Sequence, residues 1–438
     1  MIKNTILLSI VMLVAAMNVV IAQPSADISA RIIQEGEIRQ YPISVEDFRI
    51  TSMVSSPDDI RLAQQISQII RDDLSFHMLF KEIPIDSFIL SVLELTEMTK
   101  LAWKHMGAEY LVTGRCTIEG SEVEINYTIR NLVHMSEMRS DGFRSSRDNL
   151  RALAHSVSDD VVKQVAGMKP LFNTKIAYVS AKSGNKEIYV CDYDGHSSYA
   201  VTSNGSINLS PVWDAQGKSI LYTSFKGGFP ELWRANIGSA NHSKVASYKG
   251  LNSAAAISPT NDEICLTLSK DGNAELYLLD MNGKIKRRLT NSRAIESSPS
   301  FGPNSRTIAF SSDRTGTPQV YLMDDEGLDV TRVTYRGSYN DSPAFSPDGS
   351  KIAFVTRSDR GNFDICVVDV TGENFRLITR SGSNENPHWA PDSYHLVYSA
   401  RHNDNYDLFI TDFMGLTRRQ ISSDSKSSNP FWGPNTKR

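Results

Sequence analysis

The chain has 438 residues, of which 40% are apolar and 22% charged, which excludes a disordered chain and a multi-span membrane protein. Its 46 Lys+Arg against 50 Asp+Glu leave a formal charge of −4, where a nucleic-acid-binding protein would carry a basic excess. Four cysteines in this length exclude a disulfide-stapled scaffold.

Residues 1–22 read as a Sec-type signal peptide. Lys3 gives a short positive region, residues 6–17 are apolar apart from Ser9, and Val20-Ile21-Ala22 fits the small-residue cleavage rule. The alternative is a membrane anchor, but the run is at the short end for a span of about 20 residues, and Asn18 interrupts it. No Cys follows it to carry a lipid. Residues 23–168 read as a small α/β domain with a flexible N-terminal segment. Ile32-Ile33 and Pro42-Ile43-Ser44-Val45 predict short strands. Residues 57–74 predict a helix, with Asp58 and Asp59 in its first turn and Ile60, Ala63, Ile66, Ile69 and Ile70 on one face. A second helix is predicted over 93–106, strands over 110–114 and 123–129, and a third helix over 150–165. Residues 166–170, Ala-Gly-Met-Lys-Pro, form a short link.

From Thr174 onward the chain repeats. Ile176, Ile220, Ile264, Ile308, Ile352 and Leu396 occupy equivalent places, each 44 residues after the last. A period of 40–50 residues with strand chemistry signals propeller blades. One copy shows the anatomy: an inner strand at Pro343-Ala344-Phe345-Ser346, the turn Pro347-Asp348-Gly349, and strands around Ile352–Val355, Asp364–Val368 and Arg376–Thr379. Alternating apolar runs between Gly, Asp, Asn and Pro turns are hairpin signals. The first copy lacks an inner strand, and Pro430-Phe431-Trp432 is an inner strand with no blade after it. The C-terminus is therefore expected to supply blade one, leaving no open edge. The fold expected is an all-β six-bladed β-propeller over residues 172–438, preceded by the small α/β domain. Cys191, Cys265 and Cys366 fall in strand-like runs of different blades; with Cys116 they read as buried free thiols.

The order of export signal, α/β domain, six repeats of the type Ser342-Pro343-Ala344-Phe345-Ser346-Pro347-Asp348-Gly349 and final half-blade resembles the TolB family of periplasmic Tol-Pal proteins, over nearly the whole chain. The resemblance implies a periplasmic, non-enzymatic partner-binding protein. It implies a Pal-like peptidoglycan-associated lipoprotein at the channel mouth and a TolA-like inner-membrane protein on the N-terminal segment, 23–34. It further implies a role in outer-membrane integrity and in constriction during cell division. The connections from fourth strand to next inner strand all emerge on one face: 206–209, 251–254, 294–298, 338–342, 383–386 and 426–429. They carry Asn208, Asn252, Glu296, Asn340, Asp341, Asn384, Glu385, Asn386 and Asn429, groups that offer hydrogen bonds around a central opening. By the resemblance, Ala254 and Ser297 match partner-contact positions. The third inner strand departs from the pattern, with Ala255-Ala256-Ile257 where the others have Pro and an aromatic.

The competing class is a glycan-binding or glycan-cleaving propeller. Its chemistry is not signalled: no GxSxG and no HExxH occur, and Gly217-Lys218-Ser219 lacks the earlier glycine of a P-loop. Ser311-Ser312-Asp313-Arg314-Thr315-Gly316 resembles a sialidase Asp-box with its Gly one place late. Asp348 and Asp392 lie in repeated turns, where a structural role is expected. No cofactor, metal, nucleic acid or small-molecule substrate is expected.

Overall fold

The hydrophobic alternation of the α/β region becomes a sheet of six strands in the computed structural model, which describes residues 39–51, 56–84, 105–260, 262–403 and 405–435. The signal peptide, the strand at Ile32-Ile33, the segment 23–34 and most of the helix over 93–106 lie outside the described residues; His105 and Met106 are helical. Strands β1 (Tyr41–Val45), β2 (Arg49–Ile50), β3 (Phe80–Glu82), β4 (Tyr110–Glu119), β5 (Glu122–Asn131) and β6 (Ser136–Ser146) run in the order β3-β1-β4-β5-β6, with β2 beside β4. Pairings of β1 are parallel, and β4-β5-β6 is an antiparallel meander. Along β5, Val123, Ile125, Tyr127 and Ile129 are buried while Glu124 and Asn126 face outward, the period of two of a half-covered sheet.

Helices α1 (Pro57–Phe76) and α2 (Leu150–Ala166) cover the buried face. A capping box starts α1: the Ser56 hydroxyl accepts from the Asp59 N–H, and the Asp59 carboxylate accepts from the Ser56 N–H at 2.9 Å. This turns Asp59 inward, where it also pairs with Arg147. Ile60, one step round the helix, is therefore 49% exposed rather than part of the apolar face expected for it. Gly167 ends α2 at φ 67°, a left-handed cap that a side chain would strain.

Six four-stranded antiparallel sheets follow, each copy of the repeat forming one. Blade one consists of Ser427–Trp432, Lys175–Ser180, Glu187–Asp192 and Tyr199–Ala200, so the C-terminal strand closes the ring. Its Trp432 is 2% exposed, and the indole Nε1 donates to Thr174 Oγ1 at 2.7 Å. Turns between first and second strands are tied by their carboxylates: Asp348 accepts from the Ser346 and Ser350 hydroxyls, and Asp214 from the Lys218 N–H and the Ser219 hydroxyl. All four cysteines are buried and free.

The inner strands start three residues earlier than expected, at Asn340 in blade five and at equivalent places elsewhere. Pro343 marks a β-bulge rather than a strand start. The ladder skips Ser342 and Pro343, and Ser342 takes φ 54°. Proline has no N–H for the ladder, so inside a sheet it sits at such a bulge.

The closure seam carries a pH-sensitive group. His388 of blade six lies against Phe431 with ring centroids 3.5 Å apart, and its Nδ1 sits 3.1 Å from the Trp389 carbonyl and 3.3 Å from the Trp432 N–H. Burial pulls its pKa from 6.5 down to about 4. A lowered pKa means that the unfolded chain takes up a proton the folded one refuses, so this stabilisation is complete above 6.5 and is lost as pH falls toward 4. The slope for one proton is about 1.4 kcal/mol per pH unit. The His388→Phe variant, which keeps the ring contact, is expected to show a flatter dependence of melting temperature on pH across that window. Identical slopes for both proteins would remove His388 from the account.

Candidate functional site

Strand direction divides the propeller into two faces. Connections from fourth to inner strand and from second to third strand emerge on one; the remaining turns emerge on the other. The α/β domain docks on the second face. Phe76 packs on His395 at 5.1 Å, the Tyr193 hydroxyl donates to Asp73, and Arg419 Nη2 donates to the Asp72 carbonyl at 2.6 Å. His155 Nδ1 also meets Asp73 at 2.8 Å, and the nearby Asp73 and Asp194 carboxylates hold its pKa above the usual value despite burial. Among the described residues, the face with the inter-blade connections is left open by the α/β domain.

On that open face the polar residues expected to meet a partner divide into two groups. Asn208, Asn252, Glu296 and Asn340 each begin an inner strand, Asn384 is second in its own, and all five are at most 1% exposed. Asn208 donates to Glu187 at 2.8 Å and accepts from Ser224 at 2.7 Å. Asn340 donates to Gln319 at 2.8 Å, and Asn384 donates to the Ser381 carbonyl at 2.9 Å. Asn252 bonds the Tyr248 backbone through both amide atoms, and Glu296 accepts from Ser292 and from Arg314. These side chains bond within the propeller: Asn208, Asn252, Asn340 and Asn384 donate to backbone carbonyls, and Glu296 accepts from side chains. Their role follows from the bulge: with the ladder interrupted at Pro, the strand's first residue needs another anchor.

Ala254, Ser297, Asp341, Glu385 and Asn429 are partly exposed. Ala254 and Asn429 belong to a ring with Ser210, Ser298, Ser342 and Asn386, one per blade, all with φ between 49° and 55°. These residues, with Pro211, Pro299, Pro343, Pro387 and Pro430, line a channel cavity of about 470 Å³. Asp341 is held by the Tyr339 hydroxyl at 3.0 Å.

The sequence reading missed an apolar feature of this face. The residue before each buried polar anchor is Ile207, Leu251, Ile295, Tyr339 or Ser383 in turn, and Lys426 stands at the same place before Ser427. Its carbonyl accepts from the end of the second strand, as Ile207 does from Phe225, Leu251 from Ser269 and Tyr339 from Arg357. Four successive corners are therefore apolar and two polar. Ile207 and Ile295 are 47% and 54% exposed; Phe229, in a neighbouring turn, is 50% and Tyr335 73%. Together they form a crescent on one side of the channel mouth. Large apolar groups clustered at an exposed loop face mark interaction sites. The signal was present as a fixed register, one residue ahead of the buried polar anchor, but turn-forming neighbours masked it.

The TolB beta propeller domain family matches residues 162–436, and the TolB amino-terminal domain family matches residues 32–138. The Tol-Pal system protein TolB of Geobacter sulfurreducens is 35% identical over 164 residues, 37% of this chain and 38% of that protein. The Tol-Pal system protein TolB of Alkalilimnicola ehrlichii is 35% identical over 187 residues, 42% of each. The matched segments thus span about two-fifths of the length of these relatives. The crystal structure of TolB from Acinetobacter baumannii superposes with a TM-score of 0.78 at 24% identity, covering 90% of this chain and 97% of that one, which shows a common fold. With one family matching well over half of its length and a second matching its α/β region, this chain belongs to the TolB family of Tol-Pal system proteins.

Proposed function

We propose that this protein is a periplasmic partner-binding component of a Tol-Pal envelope complex and performs no catalysis. It binds a Pal-like peptidoglycan-associated lipoprotein over the open channel mouth, and a TolA-like inner-membrane protein through residues 23–34. In this role it supports outer-membrane integrity and constriction during division. The observation that carries the reading is the open face itself. Its partly exposed Ala254, Ser297, Asp341, Glu385 and Asn429 surround the channel, the apolar crescent flanks them, and the α/β domain sits on the other side. An apolar centre with a polar rim is the usual anatomy of a protein interface.

A pull-down from detergent-solubilised envelope with residues 23–438 tests this. Recovery of a small peptidoglycan-binding lipoprotein is expected, and deletion of 23–34 is expected to abolish capture of the TolA-like protein alone. Failure to recover the lipoprotein, together with shortening of a polymeric glycan by the purified protein, would overturn the reading in favour of a glycan-active propeller.

A further inference from the structure

The open face repeats a second pattern, in charge. The loop between second and third strands carries Lys182, Lys226, Lys270 and Arg314 in blades one to four, each 44 residues after the last. Each cation lies over an aromatic ring of its own third strand. The distances to the ring centres are 4.2 Å for Tyr189, 5.7 Å for Trp233, 5.3 Å for Tyr277 and 4.9 Å for Tyr321. A side chain already seated over a ring loses little further freedom when a partner meets its charge. In blades five and six the cation's place is taken by Ser358 and His402.

The connections between blades add exposed cations beside the apolar corners. Lys249 stands two residues before Leu251, Arg293 two before Ile295, and Arg336 next to Tyr335, while Lys226 shares a turn with Phe229. The carboxylates of the same segments are spent inside the protein. Asp271 pairs with Lys270 at 2.9 Å and accepts from the Tyr277 hydroxyl at 2.6 Å. Glu296 pairs with Arg314 at 3.0 Å, and Asp313 accepts from the Ile295 N–H at 2.8 Å. Among the described residues, Lys226, Lys249, Arg293 and Arg336 pair with no carboxylate. The chain as a whole carries a formal charge of −4, so this side of the ring gathers positive charge against the trend of the molecule. A patch of one sign steers a partner of the other.

We propose that the partner on this face presents an acidic rim around apolar groups, and that its footprint lies off the channel axis, over blades one to four. The inference rests on the open-face reading above and adds the partner's chemistry and its place on the ring. A folded protein surface fits better than an anionic membrane. The partly exposed Asp341 and Glu385 at the same mouth would be pressed against negative headgroups, whereas a protein can meet both signs and match apolar corners held one blade apart.

The test uses residues 23–438 and, as probe, the soluble domain of the peptidoglycan-associated lipoprotein. Titration calorimetry is expected to show at least about tenfold weaker binding in about 300 mM salt than in about 50 mM. In stopped-flow mixing, Lys226→Glu and Arg293→Glu are each expected to slow association at least about fivefold. Arg306→Glu, on an exposed turn of the opposite face, is expected to change neither rate nor affinity. Affinity indifferent to salt, or an equal loss in Arg306→Glu, would overturn the acidic rim and leave the open-face reading intact. An equal loss in Arg360→Glu, on blade five, would overturn the off-axis footprint. Sedimentation with phosphatidylglycerol vesicles that both reversals abolish, with lipoprotein affinity unchanged by them, would assign the cations to a membrane and overturn the proposal. Absence of binding by the unsubstituted chain would remove the lipoprotein reading itself, and this inference with it.

Discussion

Removing residues 430–438 is expected to lower the melting temperature by at least about 10 °C. The cut takes Trp432, 2% exposed, and Phe431, which packs against apolar clusters shared by blades one, two and three and lies against His388. Truncating one buried Trp costs about 3–5 kcal/mol. The pairs Phe431↔Ala177 and Trp432↔Ile176 are also lost, and the indole bond to Thr174 with them. Lys175–Ser180 then becomes an exposed edge strand, a template for aggregation. Differential scanning calorimetry with a light-scattering channel reads both effects. A truncated protein that melts like the intact one, without scattering, would mean that the ring is held by contacts other than this strand.

Placing a charge at the channel mouth is expected to weaken lipoprotein binding at least tenfold, about 1.4 kcal/mol. Ala254 lines the channel and Ser297 adjoins it, so Ala254→Arg and Ser297→Arg each bring a guanidinium to the centre of the proposed interface. Binding energy concentrates at such centres, and an unpaired charge is costly there. Ile295→Asp probes the crescent more cleanly, because the native side chain is 54% exposed. Ser350→Arg lies on the exposed turn of the opposite face and is expected to leave affinity unchanged. Titration calorimetry with the soluble lipoprotein domain, after circular dichroism confirms folding, separates these. If Ser350→Arg abolishes binding and Ser297→Arg does not, the partner sits on the other end of the ring.

Local chemistry made the ring legible in the sequence. Each blade repeats the same turn, in which a carboxylate such as Asp348 organises its own backbone, and such short-range patterns survive without knowledge of the fold. The closing strand was legible too, because a half-blade at each end of the repeat has one economical solution. The inner-strand starts were hidden by the prolines, which look like boundaries and are bulges. That shift moved Asn208, Asn340 and their equivalents from an expected loop into the core. Polar loop residues and buried polar anchors have the same composition; only the neighbour distinguishes them, as Glu187 does for Asn208. The junction of Phe76 with His395 was beyond reach, since the two meet only through domain docking.

The closing strand also fixes an order of events in time. Trp432 and Thr174, which it brings into contact, lie 258 residues apart along the chain. Blade one's other strands end at Ala200, and the strand they await begins 227 residues later, at Ser427. Throughout that interval blade one is a three-stranded fragment with a bare edge, and no intermediate length of chain can close the circle. The folding chain is therefore most exposed to misassociation until Ser427–Trp432 pairs with Lys175–Ser180, and chaperone dependence should track the final blade rather than the first.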